Sequence, residues 1–164
     1  MEESNSSIFS NETEEYQKIM RLKIREKLIY GHLLSLLTGS LIYLLFRSST
    51  LKMFDWFNYI GIIEPIKSAR TQTLEFSTYL PIWFKFSLPD GLWVFSYVCL
   101  LQLIWIDRNI KKSIPWILSI PIIAIFSEFG QLTNLVTGTF DPIDLLFYIL
   151  GMILPFFIIN PQKT

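Results

Sequence analysis

Near the end of the chain, three carboxylates and one amide have types and spacing that could do chemistry. Glu128 and Gln131 stand three apart, as do Asp141 and Asp144, and a short segment, 133–139, links the two pairs. Residues three apart on a helix share a face. If both pairs sit on helices, the short link makes those helices antiparallel neighbours and sets one pair against the other. Asp90, much earlier, opens another apolar block. Such oxygens can accept hydrogen bonds from a ligand or hold a hard divalent cation such as magnesium or calcium. They can also divide into an acid and a base for hydrolysis or transfer. Whether any reaction follows is left open by the residues alone.

Most of these acids also have a structural use. Asp141-Pro142 followed by Asp144 reads as a helix start, with aspartate as cap, proline at the first helical position and an acid in the first turn. Ser87-Leu88-Pro89-Asp90 has the same form, a serine cap with an acid three residues on. Glu128 is the exception. It is expected at the C-terminal end of its helix, where the dipole disfavours a carboxylate.

The elements that must position these groups are apolar. With 51% hydrophobic and 17% charged residues in 164, and a formal net charge of zero, the composition does not fit an ordinary soluble domain and gives no sign of a nucleic-acid partner. The apolar residues come in blocks, and about 20 such residues cross a bilayer core as a helix. Four spans are expected, at about 28–46, 88–106, 114–132 and 143–159. The third needs Ser127 to Leu132 to reach full length, which draws Glu128 to the membrane boundary. The fold class is therefore all-α, an integral membrane protein of about four transmembrane helices.

Residues 1–27 are polar, first acidic and then basic, and are expected as a cytoplasmic tail, partly disordered or forming a short helix on the membrane. The first span starts too late and runs too long for a cleavable signal peptide. Lys18, Arg21, Lys23, Arg25 and Lys27, with Arg108, Lys111, Lys112 and Lys163, fall on the side that holds both termini. Arg47, Lys52, Lys67, Arg70 and Lys85 fall on the other. Positive charge is retained in the cytoplasm, so both termini are expected there. Asp90, Glu128, Asp141 and Asp144 then all reach the outer face, and ionisable groups at membrane depth are functional candidates by default.

The outer segment, 47–87, carries Leu51, Phe54, Phe57, Ile60 and Ile63 at helical spacing, which predicts an amphipathic helix lying in the interface. Trp56, Tyr59, Tyr79, Trp83 and Trp93 suit an aromatic belt at headgroup level. This segment could lid the acidic cluster and hold Lys67, Arg70 and Lys85 near lipid phosphates. Cys99 stands alone and reads as a small buried hydrophobe. His32 is the only histidine, with neither a second histidine nor a neighbouring cysteine in sequence, so no transition-metal site is expected. The sequons Asn5-Ser6-Ser7 and Asn11-Glu12-Thr13 lie on the cytoplasmic side and carry no expected role. Thr38, Ser96, Cys99 and Gln102 form too thin a polar path for a channel.

Glu128-Phe129-Gly130-Gln131, then Gly138-Thr139-Phe140-Asp141-Pro142-Ile143-Asp144, then Tyr148 and Gly151, resemble the signature of the VanZ-like family of small bacterial membrane proteins. That pattern is E-x-x-Q, a short loop, an aromatic residue and D-x-x-D opening the last helix, with a glycine one to two turns on. Leu88-Pro89-Asp90-Gly91-Leu92-Trp93 is similar to a variant of the family's preceding helix opening. Many members carry arginine where Thr139 stands and asparagine where Tyr148 stands, which puts this chain on a divergent branch. The resemblance implies a multi-pass protein of the bacterial cell (inner) membrane, in a family named for a member associated with teicoplanin resistance and without an established activity. Two function classes follow. In the first, Glu128, Gln131, Asp141, Asp144 and Asp90 bind or act on an envelope component such as a lipid headgroup or lipid-linked precursor. In the second, the chain is a non-catalytic accessory or assembly subunit partnered by another membrane protein.

Overall fold

The computed structural model describes residues 2–108 and 110–159, with side chains for 13–158 apart from positions 74 and 109–111. Lys163, Asn160, Pro161 and the side chains of the first sequon lie outside the described residues. Those residues are all-helical and fold into α1 (Glu2–Phe46), α2 (Lys52–Tyr59), α3 (Ile63–Ser77), α4 (Ile82–Lys85), α5 (Ser87–Ile104), α6 (Ile110–Leu132) and α7 (Pro142–Ile159).

The apolar blocks become helices close to their predicted bounds. Thr13–Phe46, Ser87–Ile104 and Lys112–Leu132 are long and apolar enough to cross a membrane, and Pro142–Ile158 is a shorter apolar helix. Polarity is distributed the reverse way from a soluble bundle. Ser35, Ser87, Ser96, Gln102, Ser113 and Glu128 are buried, while Leu34, Leu37, Ile123, Phe126 and Phe157 each expose more than half their surface.

Three expectations differ from what is observed. The polar tail is continuous with the first span as one helix of 45 residues, about 65 Å long. Glu, Gln, Lys, Arg and Met are all good helix formers, and the Arg25–Asp107 ion pair ties this extension to the turn after α5. The amphipathic stripe from Leu51 to Ile63 is divided between two helices. Gly61, at φ 77°, ends α2 in a Schellman turn, with its N–H on the Asn58 carbonyl and that of Ile62 on the Phe57 carbonyl. Finally, Ser87 does not cap α5: the helix begins on Ser87 itself, and its N-cap is Phe86, without a side-chain cap.

Close backbone approach holds the bundle together. On α1, Gly31, Ser35 and Gly39 recur every fourth residue and face α5; a methyl group on Gly31 would come 3.1 Å from the Cys99 sulfur, and one on Gly39 would come 3.1 Å from the Trp93 ring. Small residues at this spacing let helices pack backbone to backbone. His32 Nδ1 lies 2.7 Å from Ser96 Oγ, pinning α1 to α5. Between α5 and α7 the approach is tighter still, since a side chain on Gly151 would run into the Gly91 carbonyl oxygen. α6 packs on α5 and α7, and the Tyr97 hydroxyl donates to the Trp116 carbonyl at 2.8 Å.

Candidate functional site

Four helix ends meet at one end of the bundle: the C-termini of α1 and α6 and the N-termini of α5 and α7. They carry Arg47, Glu128 with Gln131, Asp90, and Asp141 with Asp144. The joining turn explains how α6 and α7 bring their pairs together. Asn134, at φ 59°, closes α6 in a second Schellman turn, with its N–H on the Gln131 carbonyl and the Leu135 N–H on the Gly130 carbonyl at 2.8 Å. The chain then folds back over Gln131. Gly138, at φ 147°, lies so close that a Cβ would come 2.7 Å from the Gln131 side chain.

Glu128 is only 3% exposed. Its Oε2 accepts a hydrogen bond from the Asp141 backbone N–H at 3.3 Å, and its Oε1 accepts one from Gln131 Nε2 at 3.4 Å. The carboxylate that its own helix dipole opposes is thus placed at the N-terminus of α7, where a negative charge is favoured. Asp141 is the N-cap expected of it, its Oδ1 accepting from the Ile143 N–H at 2.8 Å. Asp144, one turn in, is different. Its Oδ1 is buried and has no hydrogen-bond partner among the described residues, a state that costs about 1–3 kcal/mol.

Asp90 joins this group across the bundle, within the fields of Arg47, Asp144 and Glu128. Tyr148 lies within the fields of Asp90, Asp144, Glu128 and Arg47. Sequence reasoning counts Arg47 among the basic residues on the same side as the acids but does not name it as part of the candidate site. The Arg47 guanidinium stands 5.2 Å from the Tyr43 ring centroid and 4.8 Å from that of Phe86, which holds a cation beside the carboxylates. Trp83 of α4 stacks on Phe147 of α7 at 5.8 Å, so α4 abuts the same end.

The three candidate headgroup contacts are engaged within the chain. Lys67 pairs with Glu64 at 3.0 Å on the exposed surface of α3. Arg70 donates to the carbonyls of Leu44 and Arg47, the latter at 2.6 Å, satisfying the C-terminus of α1, and its guanidinium lies 4.7 Å from the Phe54 ring centroid. Burial pulls its pKa below the usual arginine value. Lys85 donates to the Ser77 carbonyl at 3.0 Å.

Among the described residues, no group of three or more His, Cys, Asp or Glu side chains converges closely enough to hold a metal ion. Along the polar path suggested by the sequence, Ser96, Cys99 and Gln102 are buried in the bundle, whereas Thr38 is exposed on its outside. Chemically, the site offers oxygen acceptors at the mouth of the bundle, one of them without a partner, beside a fixed cation. No family model, characterised protein or solved structure matches this chain.

Proposed function

We propose that the chain is a multi-pass cell-membrane protein of the VanZ-like family, with four spans and both termini in the cytoplasm. Its outer, carboxylate-bearing end binds or acts on an envelope component such as a lipid headgroup or lipid-linked precursor. The observation that carries the site is the buried, unpartnered Oδ1 of Asp144 beside Asp90 and Glu128. An acceptor kept dry and unpaired is a standing cost that a donor-bearing ligand would remove. The inverted polarity of the bundle supports the membrane reading, because lipid tails leave no reason to hide leucine and every reason to hide serine and glutamine. α7 spans in this reading by virtue of its 18 residues, the first of them capped at the boundary.

A second reading is favoured by a separate observation. Glu128 and Asp141 both hydrogen-bond within the chain, as they would in a non-catalytic accessory or assembly subunit of a membrane complex. One experiment separates the two. Detergent-solubilised wild type, Glu128→Gln and Asp144→Asn are melted with calcium, magnesium or extracted envelope lipids. Ligand-dependent stabilisation of the wild type that both variants lose supports a binding site. No shift with any of them supports the accessory subunit.

A further inference from the structure

The Arg47 guanidinium is held in place without being paired. It stands against the Tyr43 and Phe86 rings, but among the described residues none of its five N–H donors is taken by an oxygen. It lies within reach of the Asp90 charge, yet no ion pair joins the two. Packing sets this arrangement. Tyr43 contacts the Trp93 ring at 4.9 Å, and Phe86, which the cation covers, precedes Asp90 by one turn at the start of α5. Asp90 is in turn held beside α7, because its neighbour Gly91 packs so closely that a methyl group there would come 2.9 Å from the Phe147 carbonyl oxygen. The same mouth therefore presents an unpaired donor fork, on Arg47, and an unpaired acceptor, Asp144 Oδ1.

Depth and access both suit a headgroup. Arg47 directly follows Phe46, the last residue of the span-length stretch Thr13–Phe46. Asp90 and Asp144 stand in the first turns of α5 and α7. All three are thus within about 5 Å, one helical turn, of a helix end at the level where a bilayer carries its headgroups. The wall is built from α1, α5 and α7 together. Arg47, Asp90 and Asp144 are half-buried, with exposed Trp83 and Phe86 beside them.

Charge selects the ligand. A guanidinium fork matches two oxygens of a phosphate. Asp90, Glu128 and Asp144 outnumber that single cation, so a ligand with only negative charge meets repulsion. A ligand with only positive charge leaves the fork empty. We propose that this mouth binds a phosphoethanolamine group, its phosphate oxygens on Arg47 and its ammonium donating to Asp144 Oδ1 and Asp90. An ammonium supplies the donor that the unpartnered carboxylate oxygen lacks. The inference rests on the carboxylate-site reading above and narrows its ligand to a zwitterion, carried by an aminophospholipid or by the free phosphoester.

The test is native mass spectrometry of the detergent-solubilised full chain titrated with phosphatidylethanolamine, phosphatidylcholine, phosphatidylglycerol and soluble O-phosphoethanolamine. Phosphatidylethanolamine should bind about tenfold more tightly than phosphatidylcholine, whose ammonium has no N–H, and than phosphatidylglycerol, which has no ammonium. Arg47→Gln should weaken phosphatidylethanolamine and phosphatidylcholine alike, by about tenfold. Asp144→Asn should instead remove the preference between them. Arg108→Gln, at the opposite end of the bundle, should change neither. Competition by O-phosphoethanolamine at equal affinity supports the free phosphoester as the source, and failure to compete supports the lipid. Equal affinity for phosphatidylethanolamine and phosphatidylcholine, or unchanged affinity in Arg47→Gln, would overturn the proposal. A calcium-, magnesium- or other lipid-dependent rise in melting temperature that Asp144→Asn abolishes would then leave the carboxylate site standing with a different ligand, and no shift with any of them would remove both.

Discussion

The Glu128 carboxylate takes a hydrogen bond from the Asp141 backbone N–H, 3.3 Å away, so one side chain joins the end of α6 to the start of α7. It does for the next helix what the glutamate of a capping box does for its own, satisfying an N–H that the helix leaves unpaired. Asp141 in turn caps the Ile143 N–H, and the two acids together fix where α7 begins.

This contact predicts an order among variants. Glu128→Ala removes a buried acceptor and its side-chain volume, and should destabilise by about 2 kcal/mol or more. Glu128→Gln keeps the shape and one carbonyl acceptor, and should lose less. Thermal melts in one detergent check the order, and equal losses would mean that the Asp141 contact contributes little.

Arg70 predicts a separate, local effect. Its guanidinium closes the carbonyls of Leu44 and Arg47 and lies over Phe54, joining α3 and α2 to the end of α1. Lysine has no planar fork to reach two carbonyls at once. Arg70→Lys should therefore free the segment between α1 and α5, raising the rate of proteolysis within 48–81 severalfold, while α5 and α7 remain protected. Limited proteolysis followed by mass spectrometry reads this, and uniform loss of protection would show global unfolding.

What the sequence makes legible follows from range. Apolar blocks mark α1, α5, α6 and α7, because a helix that faces apolar surroundings writes its span directly into composition. Asp141 is legible as a cap because cap, proline and first-turn acid are neighbours in the chain. Glu128 is legible as an anomalous acid set against the Asp141 and Asp144 pair, but its specific partner is not, since that N–H is 13 residues away at the start of another helix. Arg47 escapes as a site residue because its relation to Asp90 depends on how α1 packs against α5. The division of the amphipathic stripe at Gly61 hides for a related reason: the apolar spacing runs through the glycine unbroken, and only its positive φ ends α2. The 45-residue length of α1 hides because a polar helix and a polar coil share a composition.

Gly151 tests the packing that brings Asp90 to the α7 acids. A methyl group there would meet the Gly91 carbonyl oxygen and would lie 3.1 Å from the Phe95 backbone nitrogen, so backbone rather than a flexible side chain must give way. Gly151→Ala should destabilise by about 1–3 kcal/mol, and Gly151→Leu should prevent assembly of α5 with α7. Melting the purified variants measures the first effect, and the yield of monodisperse protein in detergent measures the second. A Gly151→Ala chain as stable as wild type would mean that α7 sits further from α5.

Asp144 gives the prediction with the least intuitive sign. As an acid in the first turn of α7 it gains about 0.3–1 kcal/mol from the helix dipole, so a purely structural residue should lose stability on neutralisation. Against that stand a buried, unpartnered Oδ1 and the neighbouring charges of Asp90 and Glu128. The unpaired oxygen alone costs about 1–3 kcal/mol, and like charges add to it. Asp144→Asn removes the charge at nearly constant shape and should leave the ligand-free protein as stable as wild type or more so, by up to about 1 kcal/mol. The same variant should abolish the ligand-dependent shift, because functional sites hold groups at a cost to stability. A lower melting temperature for Asp144→Asn without ligand would make Asp144 a cap and favour the accessory subunit. An unchanged or raised melting temperature combined with lost ligand response would make it the acceptor around which the carboxylate site is built.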